Sequence, residues 1–129
     1  MRLGVQKVLP NEMEAIEQRA HSQGWQIYHL HGSQIRDRET FFEAIRAGFP
    51  LNPPLMSNRS WDALSDSLWQ GLFELPAHRI IISWSNSDVM AASPDDFETA
   101  ISVFQDIVDS LADPEMTMGS TKEVTVLLS

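Results

Sequence analysis

Residues 79–84 read Arg79-Ile80-Ile81-Ile82-Ser83-Trp84. Three consecutive isoleucines leading to an aromatic make a continuous apolar run, not an alternating one. Such a run suits a strand covered on both faces, as in a parallel sheet flanked by helices. The segments downstream agree. Residues 85–92 read as a loop. Ser93-Pro94-Asp95-Asp96 then reads as a helix start, with a hydroxyl cap, a proline at the first helical position and carboxylates on the positive end of the dipole. Phe97, Ala100, Ile101, Phe104, Ile107, Val108 and Leu111 continue it as an i, i+3, i+4 stripe to about Ala112, and Pro114 ends it. Residues 116–121 form a loop before a second buried strand, Glu123 to Leu128.

Upstream, Asn58 or Ser60 caps a helix that runs to about Gln70. Before it lies Phe49-Pro50-Leu51-Asn52-Pro53-Pro54-Leu55-Met56-Ser57. Its prolines exclude a helix interior and a central strand, leaving a loop with little freedom to lose. Asp37 to Ala47 is a helix with Phe41, Phe42 and Ile45 inward and Gly48 as its stop. Trp25 to His31 is a strand, broken by His31-Gly32-Ser33. Pro10-Asn11 to Gly24 is a polar helix whose thin stripe of Met13, Ile16 and Ala20 predicts packing on the side of the domain. Helices alternating with apolar strands give an α/β class, with a small three-stranded parallel sheet and about four helices.

The chain has 129 residues, no cysteine and 43% hydrophobic residues, enough for one domain with a real core. Absent cysteine excludes a disulfide framework, a zinc ribbon and a thiol nucleophile. No apolar run approaches the ~20 residues that span a bilayer, and no secretory signal is visible. The expectation is a soluble cytoplasmic protein with no membrane partner. Acidic residues number 18 against 9 basic, for a net charge of −9. Residues 1–59 carry +1 and residues 60–129 carry −10. Direct nucleic-acid binding is disfavoured, because phosphates call for Lys and Arg. The acidic half is a solubility surface or a field that attracts a basic partner.

Chemistry concentrates in Ser60-Trp61-Asp62-Ala63-Leu64-Ser65-Asp66-Ser67-Leu68. Trp61, Leu64, Leu68 and Leu72 share one helical face and read as core. Asp62 and Asp66, at i, i+4, are neighbours on another face, at a cost of roughly 0.2–0.5 kcal/mol. A locally unfavourable pair on an exposed face is a candidate for function. A carboxylate-dependent hydrolase is one alternative, using the same pair together with His29 and His31, which share a face of the first strand. Two aspartates on adjacent turns of one helix point the same way, however, and do not flank a substrate. A metal site lacks further ligands. The serines have no nucleophile signature. Neither an enzyme, a cofactor nor a metal is expected.

His31-Gly32-Ser33-Gln34-Ile35, the following helix, the proline-rich loop and Trp61-Asp62-Ala63-Leu64-Ser65-Asp66-Ser67-Leu68 resemble the barstar family, intracellular inhibitors of secreted ribonucleases. The likeness continues through Ile81-Ile82-Ser83-Trp84, the Phe104 helix and Val124-Thr125-Val126-Leu127-Leu128-Ser129. It covers residues 25–129, with insertions near 71–79 and 113–122, and leaves residues 1–24 as an N-terminal helical extension. The resemblance implies a barstar-like fold and a partner that is a basic, barnase-like ribonuclease or related toxin. An acidic helix and the loop before it block that partner's active site. Asp62 and Asp66 match the two helix aspartates, Asp66 being the one that enters the nuclease's phosphate site, and Asp106 matches a third acidic contact. Asn58 and Arg59 lie in the loop, and Gly71 matches a glycine after the helix. Met56 and Ser65 stand where the family has aromatic anchors, which implies a weakened or redirected specificity.

Overall fold

A computed structural model describes residues 4–129. Its strands are β1 (Val5–Lys7), β2 (Gln26–His31), β3 (Arg79–Ser85) and β4 (Glu123–Leu128). They form one parallel sheet in the order β1-β4-β3-β2. The helices are α1 (Pro10–Ser22), α2 (Arg38–Gly48), α3 (Trp61–Phe73) and α4 (Pro94–Leu111). Short 3-10 segments at Gly32–Gln34 and Ser87–Ala92 follow β2 and β3. The expected α/β class and parallel sheet are observed.

The isoleucine run behaves as a strand with two covered faces. Ile80, Ile82 and Trp84 point to one side and are wholly buried with Phe41, Phe42, Phe104, Leu64, Leu68 and Leu72. Ile81 points to the other and is buried with Leu127, Met13 and Ala20. Helices α2, α3 and α4 therefore cover one face and α1 the other. The thin stripe of α1 covers this face, with Met13 and Ala20 buried over Ile81 and Leu127 and Val8, Ile16, Trp25 and Ile27 packed around them. This corrects the expectation of a helix at the side of the domain.

The sheet has four strands, not three. Strand β1 pairs with β4, Val5 opposite Val126. Gly4 accepts the Val126 N–H at 3.0 Å, and the Val8 N–H donates to Leu128 at 2.8 Å. Three residues with a single half-buried valine leave no alternation to read. What makes them a strand is the open edge of β4. The helix starts are close to those expected. The Ser60 hydroxyl accepts the Ala63 N–H at 3.1 Å, and the Asp37 carboxylate accepts that of Thr40 at 2.9 Å. The Thr40 bonds hold the Asp37 carboxyl below its ordinary range. Ser93 makes no side-chain cap bond, so Pro94 and the first-turn Asp95 and Asp96 carry the start of α4.

Lys122 is 5% exposed, and its ammonium donates to the carbonyls of Leu75 at 2.7 Å and Ala77 at 2.6 Å. It ties the segment after α3 to the start of β4. Burial pushes its pKa below the ordinary lysine value of 10.5. Below that depressed pKa both folded and unfolded states hold the proton, and the burial penalty is constant. Between it and 10.5 the unfolded chain binds more protons, so this lysine's contribution to stability rises with pH. Lys122→Met is expected to lower stability by about 1–3 kcal/mol through the stranded carbonyls. Urea titrations from pH 7 to 10 are expected to show the gap between wild type and variant widening with pH.

Candidate functional site

The candidate surface is built around α3. Its buried face, Leu64, Leu68 and Leu72, seats the helix on the core. Trp61 adds a lateral anchor, with its ring 5.7 Å from Phe41 and 5.0 Å from Phe42. With that face fixed, Asp62 and Asp66 are both exposed.

The loop before α3 is braced from both sides. The Asn52 backbone N–H donates to the Ser67 carbonyl at 3.0 Å, and the buried Ser67 hydroxyl donates to the Pro53 carbonyl. The Asn52 amide reaches both Glu74 oxygens at 2.9 Å, and these bonds hold the Glu74 carboxyl below its ordinary range, with the Gln70 bond the larger contributor. From the other side, the Arg46 guanidinium donates to the Leu55 carbonyl at 3.0 Å and to the Asn58 side chain. Leu55 is buried while Met56 is 89% exposed. The proline-rich segment is thus tied to α3 on one side and to α2 on the other.

Two hollows lie on this surface. One is a groove between α3 and α4 of about 390 Å³, with Asp66, Ser65 and Gln70 on one wall and Asp106 on the other. Trp69, Ile107, Ser110 and Met116 complete its lining. Trp69 is immobilised, since its indole N–H donates to the Ser110 hydroxyl on α4 at 2.9 Å and its ring stacks on Phe73 at 4.9 Å. The second hollow lies over the loop and carries Met56, Asn58 and Arg59 with Arg38, Glu39 and Arg46 of α2.

The structure therefore brings Asp66, Asp106 and Ser65 together, groups Met56, Asn58 and Arg59 in the second hollow, and leaves Asp62 exposed in the first turn of α3, lining neither. The two ion pairs among the described residues are His29–Glu17 and Arg79–Glu123, so no cation of the chain occupies these three aspartates. Other carboxylates serve the fold: Asp37 caps α2, Asp96 accepts the Arg38 N–H and Asp109 accepts from Gln105. Trp69 is half-buried at the margin of the core and also lines the groove. Its place four residues after Ser65, and three after Asp66, is the signal that points to it.

Gly71 has a structural role in the free protein. It is buried, and a Cβ there would lie 2.0 Å from the Pro50 carbonyl oxygen. It lets the loop cross α3 at close range. Gly71→Ala forces the backbone apart and is expected to cost about 1–3 kcal/mol. Thermal unfolding reads that loss. Backbone amide shifts over residues 50–58 read the displaced loop.

His29 and His31 stack at 5.8 Å, and His29 lies 3.4 Å from Glu17, on the α1 side of the sheet. Among the described residues no three His, Cys, Asp or Glu side chains group to hold a metal ion. No helix there is long and apolar enough to cross a membrane.

Residues 25–123 match the family model Barstar, described as barstar (barnase inhibitor). A search of curated proteins finds no match. The matched segment begins at β2 and takes in α3, α4 and both hollows, about three quarters of the chain. The chain belongs to the Barstar family.

Proposed function

We propose that this protein is an inhibitor that binds a basic, barnase-like ribonuclease one-to-one in the cytoplasm. In this reading α3 and the loop before it block the nuclease active site. The observation that carries it is the shared groove, where Asp66 and Asp106 converge from two helices beside the fixed Trp69. Carboxylates so placed can replace an RNA phosphate before Arg, Lys and His donors, in charge-assisted hydrogen bonds. The proline loop is braced before binding, which reduces the entropy lost on docking. Residues 1–24 are an N-terminal extension of the inhibitor domain at 25–129, joined to it through β1 and α1.

The test is calorimetric titration into a catalytically inactive barnase-type ribonuclease. One-to-one binding is expected, with an affinity that falls at least about tenfold between low and physiological salt. No binding at low salt would remove that class of target. Met56 and Ser65 favour a second reading on that outcome. Without aromatic anchors, the same acidic face serves as a binding module for another basic protein or toxin.

A further inference from the structure

The acidic groove has a neighbour of opposite sign. Arg38, Arg46 and Arg59 line the hollow over the loop, with Glu39 the one carboxylate among them. None of the three belongs to an ion pair among the described residues. Arg46 spends part of its guanidinium on Leu55 and Asn58, whereas among the described residues no side-chain bond occupies the guanidinium of Arg38 or Arg59. This is a concentrated positive site in a chain of net charge −9. Arg59 and Asp62 are three residues apart, so the sign changes within one turn of the chain. Met56, 89% exposed, stands on the rim.

A purely basic partner does not suit this arrangement, because three unpaired arginines beside the acidic face would repel it. We propose that the hollow receives a carboxylate-bearing segment of the partner that docks on the Asp66–Asp106 groove, so that the docking surface has two poles. The inference rests on the inhibitor reading for the groove. It adds that the target carries an acidic element beside its cationic site. Two poles set orientation as well as attraction, and they exclude basic proteins that lack the acidic element. Guanidinium groups suit the role because each can grip a carboxylate through two parallel N–H donors. The loop bracing keeps Arg46 and Arg59 in register with α3.

Charge reversal separates the possibilities by sign. Arg59→Glu takes the net charge from −9 to −11. Long-range attraction to a basic protein then increases, so affinity rises unless an acidic group faces position 59. With the inactive ribonuclease as probe, Arg59→Glu and Arg38→Glu are each expected to weaken binding at least about tenfold. Unchanged or tighter binding, alongside a loss in Asp66→Ala, overturns the second pole and leaves the inhibitor reading standing. A second arm needs no nuclease. Hexaglutamate at low salt is expected to shift amides at 38–46 and 56–60 in wild type and not in Arg38→Ala/Arg59→Ala. The absence of site-selective shifts overturns the proposal even where the ribonuclease fails to bind. So does displacement of the peptide from those positions by a short RNA, which would make the hollow a phosphate site.

Discussion

Asp66→Ala is expected to weaken binding to the ribonuclease by about 2–5 kcal/mol, roughly thirtyfold to several thousandfold. The free protein is expected to lose no stability. Asp66 stands at the wall of the groove, opposite Asp106, and no cation of the chain is paired with it. Nothing in the fold depends on its charge. Its neighbour one turn back, Asp62, repels it, and alanine is the better helix former. The melting temperature should therefore hold or rise slightly. In the complex the balance reverses, because the cations that met Asp66 are left buried without a partner. Glu14→Ala is the control. It removes the same charge from an exposed position on α1, which covers the other face of the sheet, so it changes long-range attraction alone. Calorimetry on both variants, with thermal melts of each free protein, checks the expectation. Equal losses in the two would mean that net charge, not the groove, drives association.

Strong periodicity made most of the architecture legible. The isoleucine run, the α4 stripe and the aromatic pair Phe41-Phe42 each bury many apolar atoms, and burial on that scale leaves a pattern in sequence. Strand β1 left none, because a three-residue edge strand is defined by its neighbour's hydrogen bonds and not by its own side chains. The extent of α3 was short by a turn for a similar reason. Gly71 interrupts helical propensity, but a close crossing by Pro50 requires a residue without a Cβ there. The site divides the same way. Asp62 and Asp66 could be paired from their spacing within one helix. That Asp106 faces Asp66 across a groove depends on how α4 packs on α3. Composition registered the arginines only as a nearly neutral first half. Their gathering into one hollow needs α2 and the loop to be placed together.

Phe41→Ala is expected to destabilise the protein by about 3–5 kcal/mol, the largest loss predicted for a single side chain here. In a domain of this size that lowers the melting temperature by roughly 10–20 °C. Phe41 is wholly buried, with its ring 5.7 Å from Trp61, 5.4 Å from Trp84 and 5.8 Å from Phe104. It joins four elements: its own helix α2, the start of α3, the end of β3 and the middle of α4. Removing it opens a cavity walled by large flat rings, which cannot collapse without moving the helices that carry them. Function should suffer for the same reason. Trp61 begins the helix bearing Asp62 and Asp66, and Phe104 lies two residues before Asp106. Loosening their shared contact slackens both walls of the acidic groove. At a temperature where Phe41→Ala remains folded, affinity for the ribonuclease is expected to fall although no interface residue has changed. Phe41→Leu, which keeps most of the volume, should recover much of both losses. If Phe41→Ala, still folded, bound as tightly as wild type, the groove would owe its shape to α3 and α4 alone. Urea denaturation of the two variants, followed by titration at that temperature, distinguishes the cases.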